Sequence, residues 1–149
     1  MDNSVNTSAI SLSGHDEENL RQAIELLFFA YRDFTGEADA VLAKFGFGRA
    51  HHRAIYFISR NPGISVGDLL EILKITKQSL NRVLRDLIKN KTIFLKKGEI
   101  DSRQRKIFLN EKGKKLFEEI FLEQKKRIYS ALKNSDSDSV IKFKSVLHK

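Results

Sequence analysis

Apolar residues recur at every third or fourth position from Leu20 to Phe45, which is the spacing of one face of an α-helix. This pattern predicts one long helix, ended by the break at Gly46-Phe47-Gly48. Three further apolar residues lie off the stripe: Leu26, Phe29 and Ala30. The first half of the helix is therefore apolar on more than one side, and a partner chain is its natural cover. Phe28, Phe29 and Phe34 are interpreted as core and dimer packing.

A shorter predicted helix follows, with Ala50, Ala54, Phe57 and Ile58 on one face, and Asn61-Pro62-Gly63 ends it. Residues 65–90 then contain two helix starts in close succession. Ser65 can cap a helix that runs to Leu73, and Thr76 can cap a second that runs to Asn90. Two short helices joined by a tight turn indicate a helix-turn-helix.

The polar face of the second of these helices carries amides and guanidinium groups without an acid. Its members follow an i, i+3, i+4, i+7 spacing: Gln78, Asn81, Arg82 and Arg85. Amide and guanidinium groups pair bidentately with the edges of adenine and guanine in a major groove. The other interpretation is an ordinary solvated face, although such faces usually mix Glu with Lys.

After Asn90 the period of the pattern changes from 3.6 to 2, which is typical of strands. The runs TIFLKK (92–97) and RKIFL (105–109) predict a hairpin in which Phe94 and Phe108 meet on one face. The opposite, inward face is predicted to hold Ile93, Leu95, Ile107 and Leu109. The loop between the strands, 98–104, carries Arg103. A basic hairpin directly after a helix-turn-helix is the layout of a winged helix.

The C-terminal third predicts further helices with more apolar surface than one chain can bury. One stripe consists of Leu116, Phe117, Ile120, Phe121, Ile128 and Leu132, and a last cluster consists of Val140, Ile141, Phe143, Val146 and Leu147. This pattern favours a homodimer. The alternative is a monomer with a folded-back helical pair.

The charge of the chain is concentrated in its middle. Residues 1–48 hold three Lys/Arg and eight Asp/Glu, whereas residues 49–115 hold seventeen Lys/Arg and six Asp/Glu. The net charge of all 149 residues is +8. A local excess of this size attracts a polyanion, nucleic acid before an acidic membrane surface. An ordinary basic surface is the alternative that charge alone leaves open.

The chain has no cysteine, which removes disulfides, thiolate metal sites and thiol redox sensing from consideration. No apolar run approaches the roughly 18 residues of a membrane span, and the polar N-terminus does not resemble a signal peptide. A cytoplasmic, nucleoid-associated protein is expected. His51 and His52 are adjacent, so on a helix they point about 100° apart and do not chelate one metal from one face. We expect no cofactor or metal.

The run from Asp101 to Gly113, DSRQRKIFLNEKG, resembles the wing signature of MarR-type transcriptional regulators. That signature is Asp-x-Arg, five residues, then Leu-Thr-x-x-Gly, and it matches at Asp101, Arg103, Leu109 and Gly113. Asn110 stands where the family usually has Thr, but Asn is an equally good N-cap. The segments SVGDLLEIL and TKQSLNRVLRDL are similar to the two DNA-binding helices of the family, so the resemblance covers roughly residues 20–147.

The resemblance implies a mainly α fold with a small β-hairpin wing, ordered α-α-(β)-α-α-β-β-α-α, with the short strand near residues 63–65. It also implies an obligate homodimer formed by long N- and C-terminal dimerisation helices. The expected organisation is a disordered tail (1–18), an N-terminal dimerisation helix (19–48), a winged helix-turn-helix DNA-binding region (49–113) and C-terminal dimerisation helices (114–149), all in one structural domain.

The resulting hypothesis is a dimer that binds double-stranded DNA, with the helix of residues 76–90 in the major groove and the wing, 92–109, at the minor groove. Base edges are assigned to Gln78, Asn81 and Arg82. Phosphate contacts, or mixed contacts, are assigned to Lys77, Ser79 and Arg85, and Ser65 at its helix start is assigned a phosphate bound through backbone amides. The other predicted DNA-binding residues are Thr76 at the start of the second helix and Lys96, Lys97 and Arg105 on the wing arms.

Arg103 is the candidate for insertion into a narrow minor groove, where negative potential is concentrated. Asp101 is interpreted as a support for the loop that carries Arg103. It would act by a local turn bond or by a salt bridge to a basic neighbour such as Arg105.

Two other functional classes compete with a sequence-specific regulator. An enzyme is disfavoured because no nucleophile elbow, phosphate loop, zinc motif or catalytic dyad is present. A winged-helix module for architectural DNA binding or protein contacts is the main alternative. In this family the crevice between dimerisation and DNA-binding parts can also hold a small-molecule effector, which the sequence does not identify.

Overall fold

The computed structural model describes residues 16–149. The helices and strands follow in this order: α1 (Glu17–Ala43), α2 (Arg49–Arg60), β1 (Ile64–Ser65), α3 (Val66–Leu73), α4 (Lys77–Lys89), β2 (Ile93–Lys97), β3 (Arg105–Leu109), α5 (Glu111–Leu132) and α6 (Ser137–Leu147). The predicted element order is confirmed, including the short strand after α2. The predicted tail lies almost wholly outside the described residues.

The chain divides into two compact units, which meet in sequence at Phe34 and Thr35. In the first unit, none of residues 16–34 is buried. Its exposed apolar side chains are Leu20, Ile24, Leu26, Leu27, Phe28, Phe29, Tyr31 and Phe34. The interpretation of the three phenylalanines as core was wrong for this chain by itself, because the helical period identifies an apolar face but not what covers it.

The second unit, residues 35–149, holds the hydrophobic core. Every helix from the end of α1 to the first half of α5 contributes to it, and the fully enclosed side chains include Leu42, Ile55, Ile58, Leu69, Leu73, Leu80, Leu87, Ile107 and Ile120. These residues fall at the apolar positions of each amphipathic segment. The helix-turn-helix and the sheet therefore share one core.

Three helices begin at the N-caps that the sequence predicts. Ser65 accepts a hydrogen bond from the backbone N–H of Asp68, Thr76 from that of Ser79, and Asn110 from that of Gly113. Each bond satisfies a backbone N–H that the first turn of a helix leaves without a partner. The expectation that Asn110 replaces the family's usual Thr as a cap is confirmed.

The sheet has the order β1-β3-β2 and is antiparallel throughout. Phe94 lies opposite Phe108, and their rings stack with centroids 5.4 Å apart, as predicted. The inward assignment of Leu95 was wrong, because this side chain is 38% exposed whereas its partner Ile107 is fully buried. Ile107 lies on the central strand, but Leu95 lies on an edge strand beyond the reach of the core, and a period of two does not show where the core ends.

The C-terminal helices keep much of their apolar surface exposed. α5 buries Leu116 and Ile120, whereas α6 has no buried residue. The exposed apolar side chains of these two helices are Phe121, Leu122, Ile128, Tyr129, Ile141, Phe143, Val146 and Leu147. Within residues 16–149, none of the helices has the length and apolar character to cross a bilayer.

Candidate nucleic-acid interface

The predicted polar stripe on α4 is exposed along its whole length. Leu80, Val83, Leu84 and Leu87 form the buried face of the helix. The opposite face presents Gln78, Asn81, Arg82 and Arg85, all of them exposed. Because the buried face fixes the rotation of the helix, the four polar side chains project together into solvent.

The first turn of α4 carries hydrogen-bond donors and no acid. The Thr76 hydroxyl accepts from the Ser79 N–H at 3.1 Å and donates to the Ser79 hydroxyl oxygen at 2.9 Å. This arrangement leaves the hydroxyl proton of Ser79 available to an outside acceptor. The first turn contains Lys77 and no acid, so the positive end of the helix dipole is not neutralised there.

The N-terminus of α3, unlike that of α4, has an acid in its first turn. The Ser65 hydroxyl donates to the Asp68 carboxylate at 2.7 Å while it accepts from the Asp68 N–H at 3.0 Å. Both hydrogen-bonding roles of the hydroxyl are thus occupied, and a carboxylate lies at the helix start. The Asp68 carboxylate at this helix start disfavours the predicted phosphate contact through backbone amides, and the geometry favours a capping role for Ser65.

The arms of the wing place like charges directly opposite each other. Lys96 pairs with Lys106, and Lys97 pairs with Arg105, in the register of β2 and β3. Opposed like charges on neighbouring strands are destabilising by themselves. An approaching polyanion would relieve this repulsion, so the arms are suited to a phosphate backbone.

The two cationic pairs lie on opposite faces of the hairpin, because side chains alternate along a strand. Lys96 lies on the face of the stacked phenylalanines, with its ammonium group 5.6 Å from the Phe94 ring centroid and 5.5 Å from that of Phe108. Lys97 and Arg105 share the face of Leu95. Leu95 in turn lines an open groove with residues of α3 and α4: Val66, Lys77, Gln78, Asn81, Leu84, Arg85 and Ile88. The stripe on α4 and one face of the wing therefore border the same groove.

The wing loop is closed by a set of short local hydrogen bonds. The Gly98 N–H donates to the Gln104 carbonyl at 3.0 Å, and the Gln104 N–H donates to the Asp101 carbonyl at 3.1 Å. The Asp101 carboxylate accepts from the Arg103 N–H at 2.9 Å. The expected local turn bond of Asp101 is thus present, whereas the alternative ion pair with Arg105 is not formed in the described chain. The Arg103 side chain is exposed.

Several side chains that orient this surface were missed by the sequence analysis. The Arg53 guanidinium donates to the Leu73 carbonyl at 2.7 Å and so binds the C-terminus of α3 beside the turn to α4. His51 bonds to Asp86 on α4 at 2.9 Å, and Lys112 donates to the Asn90 carbonyl at 2.8 Å. These contacts join residues 20 to 35 positions apart in the chain, so no local pattern marks them.

His52 is a buried structural residue that links α2 to α5. Its Nε2 lies 3.3 Å from the side-chain amide of Gln124, and both residues are buried. Burial lowers the pKa of His52, which outweighs the opposing effects of the Gln124 hydrogen bond and of nearby Asp39. Between residues 16 and 149, no three His, Cys, Asp or Glu side chains cluster as metal ligands would.

The comparisons with known proteins agree with this geometry. The model of the MarR family matches residues 45–104, from just after α1 through the wing loop. The chain is also 45% identical over 131 residues to the HTH-type transcriptional regulator PetP of Rhodobacter capsulatus. This alignment covers 88% of this chain and 79% of that protein. The chain belongs to the MarR family. It is a helix-turn-helix transcriptional regulator, as the wing signature indicated. The members of this family are DNA-binding regulators and not enzymes.

Solved MarR-family structures share the fold. A MepR variant of S. aureus bound to an oligodeoxyribonucleotide superposes with a TM-score of 0.61 at 18% identity, covering 85% of this chain and 93% of that chain. The Staphylococcus aureus MarR in complex with salicylate and kanamycin superposes with a TM-score of 0.70 at 19% identity, covering 89% of each chain. At these identities the similarity establishes the winged helix-turn-helix fold.

Proposed function

We propose that the protein regulates transcription as a homodimer that binds a pseudo-palindromic operator, with α4 of each protomer in successive major grooves. The observation that carries this proposal is the exposed stripe of amides and guanidinium groups on α4, which contains no acid. A major groove admits an α-helix, and its base edges present the donors and acceptors that such side chains read. Half-sites are then separated by about one helical turn, 10 to 10.5 base pairs.

Within the stripe, Gln78, Asn81 and Arg82 are proposed to contact base edges. Lys77, Ser79 and Arg85 are proposed to contact phosphates or to make mixed contacts. Support comes from the free hydroxyl proton of Ser79, the acid-free first turn of α4 and the position of Lys77 at the rim of the groove. Thr76 and Ser65 are assigned to capping, since their hydroxyls are engaged within their own helices.

The wing is proposed to follow the DNA backbone and to insert Arg103 into the adjacent minor groove. Lys97 and Arg105 lie on the wing face that borders the same groove as α4, so they are placed for phosphates near the major-groove contact. Lys96, held over two aromatic rings on the opposite face, is placed for a more distal phosphate. Asp101 organises the loop through the Arg103 N–H and does not contact DNA itself.

Dimerisation is proposed to cover the apolar surfaces of the terminal helices. Residues 17–34 include seven large apolar side chains that are at least 42% exposed, and α6 buries none of its residues. A folded-back helical pair within one chain is disfavoured because it would have covered α6. Burial of apolar area at about 25 cal/mol per Å² makes such surfaces strong drivers of association.

Selection of bound duplexes from a random-sequence library, followed by footprinting, tests the operator proposal. We expect a pseudo-palindrome whose protected half-sites repeat at about one helical turn. Sedimentation of the protein with and without this duplex should give two protomers in both cases. Enrichment of no sequence over random duplex would contradict sequence reading and favour an architectural module, and a monomer on DNA would contradict the dimer.

A small-molecule effector is also proposed, on the ground that the similar S. aureus MarR structure contains salicylate and kanamycin. Salicylate is the first probe because it is one of the two small molecules in that similar structure. Titration into the complex with the selected duplex should release the protein. Unchanged footprints at saturating salicylate would remove this ligand as the effector.

A further inference from the structure

His51 is held in one orientation by three contacts. Its Nδ1 lies 3.1 Å from the backbone nitrogen of Gly48, and its ring stacks on Phe47 with centroids 4.8 Å apart and an interplanar angle of 12°. Its Nε2 lies 2.9 Å from a carboxylate oxygen of Asp86. Because the Gly48 N–H is a donor, Nδ1 must accept, and the ring proton is therefore on Nε2, where it is donated to Asp86.

Asp86 is the single carboxylate of α4, which runs from Lys77 to Lys89. It lies one turn after Arg82, and residues four apart on a helix are neighbours. A carboxylate released from His51 would thus find the guanidinium of Arg82 within reach. Within residues 16–149, the guanidinium of Arg82 makes no ion pair or hydrogen bond, so its donors are available.

We propose that His51 is a positioning residue for DNA reading, which binds Asp86 and thereby keeps this carboxylate from competing with DNA for Arg82. An arginine that reads a base bidentately uses both donors of one edge, and an intramolecular carboxylate at the same edge would have to be displaced first. His51 removes that competitor without contacting DNA. This inference rests on the role proposed for α4, and it explains how a cationic reading helix can contain an acid.

The two side chains can be separated by substitution. His51→Phe keeps a ring that can stack on Phe47 but removes the bonds to Asp86 and to the Gly48 N–H, whereas Asp86→Ala removes the competing carboxylate and leaves the Gly48 bond intact. On the duplex selected by the wild-type protein, we expect His51→Phe to weaken binding by about fivefold or more. This factor is the lower end of the affinity lost with one arginine contact to a base. Asp86→Ala should bind about as tightly as the wild type.

The double variant gives the most discriminating test. His51→Phe combined with Asp86→Ala should regain most of the lost affinity, and His51→Phe should have no further effect in an Arg82→Ala background. A purely structural role of His51, in tying α2 to α4 or in accepting from the Gly48 N–H, predicts instead that the double variant does not recover. That result would overturn the inference, and thermal unfolding of each variant shows whether it is folded.

The tautomer of His51 provides a test that needs no DNA. Nitrogen NMR of the histidine rings should show a protonated Nε2 and an unprotonated Nδ1 at His51. The reverse tautomer would overturn this inference and leave the proposed function of α4 standing. Failure of the wild type to select any duplex would instead refute the proposed function, and the inference with it.

Discussion

Gly113, in the first turn of α5, faces the carbonyl oxygen of Thr92 so closely that a Cβ at position 113 would overlap it. Thr92 is fully buried, and its hydroxyl donates to the Leu87 carbonyl at 2.7 Å. Its carbonyl accepts from the Asn110 N–H at 3.1 Å. Thr92 and Gly113 therefore join the end of α4, the start of the wing and the start of α5, which gives a physical reason for the glycine that ends the wing signature.

Replacing Gly113 with Ala should destabilise the fold, because the buried backbone of Thr92 must shift to admit a methyl group. Overpacking of this kind costs about 1–3 kcal/mol in free energy of unfolding. Gly67→Ala in α3 is a matched control, since the nearest heavy atom to its Cβ would be 3.8 Å away, and alanine favours a helix over glycine. Urea unfolding of both variants measures the difference, and equal stabilities would contradict the close contact.

Loss of the Asp101 side chain should weaken DNA binding, although it removes a negative charge from the proposed DNA-binding surface. The carboxylate organises the loop by accepting from the Arg103 N–H. Asp101→Asn keeps an oxygen at this position and should retain the affinity that Asp101→Ala loses. Tighter binding of Asp101→Ala in an electrophoretic mobility assay would show that charge repulsion outweighs loop organisation.

Arg103→Ala should lower operator affinity by about 1–3 kcal/mol and reduce the slope of log affinity against log salt by about one unit. The reason is the loss of one long cation at the tip of the wing. Lys125→Ala on exposed α5 removes the same charge away from the proposed interface and serves as the control. Equal slopes for the two variants across a salt titration would refute the minor-groove assignment.

The free energy of unfolding should fall as the pH drops below the ordinary His pKa of about 6.5, in part because of His52. Burial lowers the pKa of His52 in the folded state, so the unfolded chain binds the proton more tightly. Stability is therefore retained above pH 6.5 and is lost progressively between that pH and the lower folded pKa, with a slope of at most about 1.4 kcal/mol per pH unit.

His52→Gln should flatten this part of the stability profile, because glutamine can still bond to Gln124 but does not titrate. Urea unfolding of both proteins between pH 5 and 8 gives the two profiles. An identical acid slope in the variant would assign the loss to other groups. Glu111 and Asp136, whose pKa values are lowered by hydrogen bonds, act only at more acidic pH.

Local signals were sufficient to predict most of the fold. Ser65, Thr76 and Asn110 identified three helix starts because capping is a property of a few consecutive residues. The alternation of the two strands likewise predicted that Phe94 meets Phe108. The exposed stripe on α4 followed from the period of the helix and the position of its apolar face.

What the sequence did not predict depends on contacts between distant segments. The position of Leu95 depends on how far the core extends under an edge strand, and the bond between His51 and Asp86 depends on the packing of α2 against α4. Neither can be predicted from residues that are neighbours in the sequence. Asp101 is an intermediate case, because the sequence left a turn bond and an ion pair open, and the turn bond is the one that forms.

Sequence reading by α4 is the central claim, and the ratio of affinities for the selected operator and for random duplex measures it directly. Asn81→Ala removes an amide that is proposed to read a base, whereas Lys97→Ala removes a wing cation that is proposed to contact phosphate. We expect Asn81→Ala to lower the ratio by a factor that corresponds to about 1–3 kcal/mol of binding free energy. Lys97→Ala should weaken binding to both duplexes and leave the ratio unchanged. If Asn81→Ala instead weakened both duplexes equally, α4 would not be reading sequence.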